Sequence, residues 1–166
     1  MPNAICNTSP LLYLYRIGVL EWLSALFDEV WVPQAVVDEL QEGQLRGYDV
    51  PVTHQLGWIR IVNPKAMPSE WLALDLGPGE LAVLALALEN PEYVVLIDDT
   101  LARRTAQSAG LKVWGTLRVL LEAKSHGLTE QLEPYVNRLQ DAGMWMSEEI
   151  RQRILALDRK WPMTND

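Results

Sequence analysis

Tyr93-Val94-Val95-Leu96-Ile97-Asp98-Asp99-Thr100 is a continuous apolar run that ends in two carboxylates and a hydroxyl. With Asn90-Pro91-Glu92 on its other side, it reads as a strand buried on both faces, the pattern of a parallel sheet covered by helices. Helical sequence follows at once. Leu101, Ala102, Thr105, Ala106 and Ala109 recur at helical spacing, and Gly110 stands where a left-handed stop residue belongs. In open α/β sheets ligands bind in the crevice beyond the carboxyl ends of the strands, so Asp98 and Asp99 are placed to hold something positive. A divalent cation is the first candidate. Helix capping competes with that role, because Asp99 or Thr100 can accept the free amide protons of the following helix. Asp98 is harder to explain as a cap. Adjacent carboxylates repel, and desolvation penalises both unless a cation or hydrogen bonds compensate.

The same alternation runs through the chain. Ala4-Ile5-Cys6 is a short apolar strand, and Asn7-Thr8-Ser9-Pro10 is a polar turn that predicts a helix capped by Ser9 with Pro10 in its first position. Gly18 separates that helix from a second over about 19–27. Val30-Trp31-Val32 is the next strand, and Pro33 opens a helix with apolar face Val36, Val37 and Leu40, ending near Gln41 before an exposed loop that carries His54. At about 100° per residue, Glu39 falls at the edge of the buried stripe and Asp38 in water. Trp58 to Val62 alternates as an edge strand. Leu76-Gly77-Pro78-Gly79-Glu80 leads into a helix over 81–88 that is apolar all round, with Glu80 alone in charge in its first turn. That placement suits either a residue complementing the helix dipole or a deliberate acidic group. Leu111 to Trp114 is a further strand. Gly115-Thr116 then reads as a cap for a helix over 117–124, the Thr116 hydroxyl being alternatively free to meet a phosphate. Helices follow over about 130–141 and from Ser147 to about Lys160, with Met144-Trp145-Met146 between them as core or as a partner-facing patch. Arg16, Arg103 and Arg104 read as surface charges, and His126 as a helix-end residue.

At 166 residues the chain fits one compact α/β domain. We expect a core over 1–125 and a C-terminal helical extension over 126–166 packed on the same domain. No apolar stretch reaches the roughly 20 residues that span a bilayer. With no secretory signal at the start and a lone Cys6, the expected compartment is the cytoplasm. The net charge of −8 argues against a nonspecific nucleic-acid coat.

Taken together, Cys6-Asn7-Thr8-Ser9-Pro10-Leu11, Val36-Val37-Asp38-Glu39-Leu40, Gly79-Glu80, Ile97-Asp98-Asp99-Thr100-Leu101-Ala102-Arg103 and Gly115-Thr116-Leu117 resemble the PIN-domain family. The nearest branch is that of predicted PIN-like nucleic-acid-binding proteins of bacteria and archaea. The resemblance implies a three-layer α/β/α fold with a small, mainly parallel sheet. It also implies a divalent-metal-dependent ribonuclease, in many relatives the toxin of a toxin–antitoxin pair. On that likeness Asn7, Glu39, Glu80 and Asp98 are the catalytic set and, with Asp99, the ligands of Mg²⁺ or Mn²⁺, supported by Ser9 and Thr116. An acidic chain is compatible with this, since bound metal reverses the local sign before a phosphate arrives. RNA, an antitoxin protein and a second copy of the chain in a homodimer are the implied partners. The family's first position is usually Asp, whereas this chain has Asn7, with a neutral carbonyl oxygen. A catalytically weak or inactive RNA- or protein-binding module is therefore the alternative. A phosphoryl-accepting receiver domain fits less well, because its acidic pair closes the first strand and this one closes a late strand.

Overall fold

A computed structural model of the chain describes residues 1–160. Five strands, β1 (Ala4–Cys6), β2 (Val30–Val32), β3 (Ile59–Ile61), β4 (Val94–Leu96) and β5 (Lys112–Trp114), form one all-parallel sheet in the order β3-β2-β1-β4-β5. The two central strands, β1 and β4, are apolar and buried at every position, whereas β3 at the edge exposes Arg60 and Ile61. Helices cover the sheet: α1 (Thr8–Arg16), α2 (Trp22–Leu26), α3 (Gln34–Leu45), α4 (Pro78–Glu89), α5 (Thr100–Ser108) and α6 (Thr116–Ser125). Helix α4 packs on β1 and β4 with α3 and α5 beside it, while α6 packs on β5 and against α1 and α2. This is a PIN-like α/β/α arrangement. Its all-apolar α4 is explained by its place, since Ala82 to Ala87 are all buried.

Cys6 pairs with Leu96 and Leu96 with Trp114, so β1, β4 and β5 end level. The chain builds β2 and β3 on one side of β1, and β4 and β5 on the other. The reversal puts the switch-point crevice between the carboxyl ends of β1 and β4, where Asn7 and Asp98 stand.

Beyond α6, α7 (Glu133–Asp141) and α8 (Glu148–Lys160) share the same core through Leu132, Val136, Leu139 and Ile154. A nearly buried ion pair, Lys124 Nζ to Asp158 Oδ1 at 2.6 Å, ties α8 to α6. Asp158 also accepts the Leu132 N–H at 3.0 Å. The last residues of the predicted extension, 161–166, lie outside the described residues. Among the described residues no helix is long and apolar enough to cross a membrane.

Several element ends differ from the sequence reading. Helix α1 starts at Thr8 with Asn7, not Ser9, as N-cap, and Pro10 lies in the first turn. The first four N–H groups of a helix have no internal partner, so the missing N–H of Pro10 is tolerated there. Helix α3 continues past Gln41 through Gly43 to Leu45, and stops where Gly47 adopts φ 86°. Helix α7 begins at Glu133 instead of Glu130, with Pro134 in its first turn. Thr116 is the first residue of α6 and caps nothing, because Gly115 holds the N-cap position.

Candidate functional site

Three of the acidic candidates, Glu39, Asp98 and Asp99, are fixed by nearby donors, whereas the Asn7 side-chain oxygen is not. Asn7 extends β1 by one bond, its backbone N–H donating to Leu96 O at 3.0 Å. The residue is 3% exposed, and Oδ1 has no hydrogen-bond partner. A buried carbonyl left unpaired costs about 1–3 kcal/mol, which marks the position as one that a ligand would relieve.

Glu39, half-buried on α3, is gripped at both oxygens. Thr8 Oγ1 donates to Oε2 at 2.5 Å, and the Gly79 N–H at the head of α4 donates to Oε1 at 3.0 Å. Only glycine permits this approach: a Cβ at residue 79 would lie 2.5 Å from Glu39 Oε1. The same turn carries Glu80, and Glu39 Oε1 and Glu80 Oε1 each lie 3.9 Å from the point where a Cβ at Gly77 would sit. Burial, then the charges of Asp99, Glu39 and Asp75, push the Glu80 carboxyl above the usual range.

Asp98 sits in the crevice, held from β5 to α6. Oδ1 accepts the Thr116 N–H at 2.8 Å, and Oδ2 accepts the Thr116 hydroxyl at 2.7 Å. Burial pushes its carboxyl upward, opposed by the two Thr116 bonds and by the Arg103 guanidinium. Its charge also reaches the buried Cys6 thiol, which burial and Asp98 together push well up. Asp99 does cap α5, its Oδ2 accepting the Ala102 N–H at 2.9 Å, and it remains exposed. Ser9, in the first turn of α1, makes no hydrogen bond to any of these groups.

The candidates at the strand ends therefore fall into two groups. Glu80 feels the charges of Asp99 and Glu39, whereas Asp98 faces Thr116 and Arg103. Among the described residues no three His, Cys, Asp or Glu side chains are drawn into one cluster able to hold a metal ion. The physical reason is local: each of Glu39, Asp98 and Asp99 is satisfied by nearby N–H or O–H donors, and like charges keep apart. The donor chemistry nonetheless fits a hard divalent cation. It offers carboxylate oxygens, an unpartnered buried carbonyl at Asn7, and like-charge crowding at Glu80 that a cation would offset.

The PIN-domain family model DUF3368 matches residues 3–160. The chain belongs to the PIN-domain family. Among solved structures, this PIN domain is similar to a PilT N-terminus domain protein from the hyperthermophilic archaeon Sulfolobus solfataricus P2. The two share 14% identity over 75% of this chain and 95% of that chain, with a TM-score of 0.54, a likeness of fold. Comparison with curated proteins gave no match.

Sequence reasoning missed Thr8, Gly79, Gly115 and Arg103 as neighbours of the candidate carboxylates. Gly77-Pro78-Gly79 beside Glu80 was the available signal for close backbone approach. Arg103 had a signal too. Side chains on a helix lean toward its N-terminus, so a residue in the second turn of α5 reaches back over the strand end. It lies there as a half-buried group instead of the surface charge the sequence suggested: a Cβ at Gly115 would sit 2.5 Å from Arg103 Nη1 and 3.1 Å from Asp98 Oδ1.

Proposed function

We propose that this PIN domain is a ribonuclease that uses Mg²⁺ or Mn²⁺ to hydrolyse RNA phosphodiester bonds. One observation supports the reading: the Asn7 carbonyl is buried and unpartnered at the switch-point crevice, beyond the carboxyl end of β1. Asn7, Glu39, Glu80, Asp98 and Asp99 would hold the cation, which supplies charge neutralisation and a more acidic water. The chain's own groups do the rest. Thr8 and Gly79 fix the Glu39 carboxylate, and Thr116 fixes both Asp98 oxygens, so neither reorients as substrate enters. Glu80, whose carboxyl is pushed up by burial and by the charges of Asp99, Glu39 and Asp75, is the candidate acid whose charge a bound cation would most relieve. Arg103 brings positive charge to the rim where a phosphate would lie.

The proposal extends to a cytoplasmic homodimer acting as the toxin of a toxin–antitoxin pair, as the family resemblance implies. Its test is cleavage of a labelled RNA with Mn²⁺ by protein free of host ribonuclease. EDTA and Asp98→Asn should each abolish cleavage, and activity that survives either contradicts the reading.

A second reading, a weakly active or inactive RNA- or protein-binding module, is favoured by the neutral Asn7 side chain. Asn7→Asp separates the two: a gain in cleavage identifies Asn7 as the weak point of an active nuclease. No cleavage by either form supports the binding module.

A further inference from the structure

We infer that Asp158 is a positioning residue that fixes the helical register of α8, and through it the side of the cleft that α8 builds. The register claim stands on packing alone, whereas its consequence for substrate rests on the nuclease reading.

The start of α8, from Ser147 through Ile150 to Ile154, forms one side of a cleft of about 500 Å³ that also takes in Asp98. Its hold on the domain is narrow. Among the described side chains of α8 only Ile154, Leu155 and Asp158 are buried, while Ile150 and Leu157 are each 38% exposed. Ile150, Ile154 and Leu157 recur at helical spacing, so the apolar stripe alone does not choose a register. With α8 shifted by one turn along α6, Ile150 would take the place of Ile154, and Ile154 that of Asp158.

Asp158 removes that freedom. Its Oδ1 accepts from Lys124 Nζ on α6 at 2.6 Å, its Oδ2 accepts the Leu132 N–H at 3.0 Å, and its backbone carbonyl also accepts from Lys124. Leu132 stands at the N-cap of α7, so one short carboxylate joins three helices at a single point. A shifted α8 would set Ile154 against Lys124 and leave a buried ammonium without its counter-charge, which the interior penalises heavily. Arg151 also ties α8 to α7, donating to Gln140 Oε1 at 2.7 Å, but its long side chain can follow a shift. Buried ion pairs add little stability over a well-packed apolar pair, and their best-attested use is to select one register.

The test replaces the pair without leaving a buried charge: Lys124→Met together with Asp158→Leu, followed by thermal melting and by hydrogen exchange of the α8 amides. The double variant should stay folded, with Tm lowered by only a few degrees. Its α8 amides should exchange roughly tenfold faster than in wild type, while those of α6 and β4 keep their rates. Unchanged exchange in α8 would show that the apolar stripe sets the register unaided, and overturns the inference. So does a double variant that fails to fold or exchanges faster throughout, since the pair would then hold up the whole domain. In cleavage with Mn²⁺, run in parallel, the double variant should raise KM several-fold with kcat little changed, because one side of the cleft has moved and the carboxylates have not. An unaltered KM would overturn the claim on the cleft. A wild-type chain that cleaves no RNA contradicts the nuclease reading instead, and the exchange result then decides the register by itself.

Discussion

Glu80 stands half-buried near Asp99 and Glu39, and burial followed by these like charges raises its carboxyl pKa. A carboxyl that holds its proton more tightly in the folded chain favours folding below its unfolded pKa, about 4.3. That contribution is lost as pH rises through the folded pKa. Glu80→Gln removes the ionisation and should raise Tm slightly at pH 7 in metal-free buffer, with no gain below about pH 4. Thermal melts at the two pH values check the sign. An equal gain at both would place the cause in packing instead of charge. Asn7 makes the opposite case. Asn7→Asp buries a new negative charge beside Asp98, so it should lower metal-free Tm while tightening Mn²⁺ binding roughly tenfold, affinity being set by ligand charge. Melts with and without Mn²⁺ read both effects.

The seam where α3 meets α4 and α1 decides whether Glu39 can work. Gly79→Ala at an ordinary helix position would stabilise by about 0.5–1 kcal/mol. Here the added methyl would collide with the Glu39 carboxylate, so the variant should lose Tm and at least tenfold in cleavage, as melting and initial rates will show. This seam also marks how far the sequence could be read. The apolar run at Tyr93 to Ile97 showed a buried parallel strand, helical projection put Glu39 on the edge of its face, and the isolation of Glu80 in an apolar helix flagged it. Periodicity reports which face a residue takes, not which donor it meets. The Thr8 to Glu39 and Thr116 to Asp98 bonds span 31 and 18 residues, and nothing local in the chain foretells either. Thr116 looked like a cap because capping and ligand holding use the same residue types at the same strand ends. Element ends slipped for a related reason, since Pro10 and Pro134 are tolerated anywhere in a first turn. At the far side, Asp158→Ala would leave the Lys124 ammonium buried without a counter-charge, bonded only to the backbone carbonyl of residue 158. It should cost about 3–5 kcal/mol by denaturant unfolding, and a loss under 1 kcal/mol would show that α8 contributes little.

A chain of net charge −8 with a small basic wall beside its acidic crevice should bind nucleic acid weakly and only where a cation or Arg103 offsets repulsion. Leu45, Tyr48 and Leu72 are among its exposed large apolar side chains, in keeping with the proposed homodimer, which sedimentation at micromolar concentration will test. The acids at the strand ends nevertheless carry the functional account. They come from α3, α4 and the loop after β4, and the reversal of strand order between β1 and β4 opens the crevice beside Asp98. The direct test is calorimetric titration of Mn²⁺ into the wild-type chain and into Glu39→Gln and Glu80→Gln. Saturable heat with a rise in Tm for wild type, strongly weakened in both variants, is the predicted result. No heat and no stabilisation in the wild-type chain, or binding untouched by either substitution, would contradict the account.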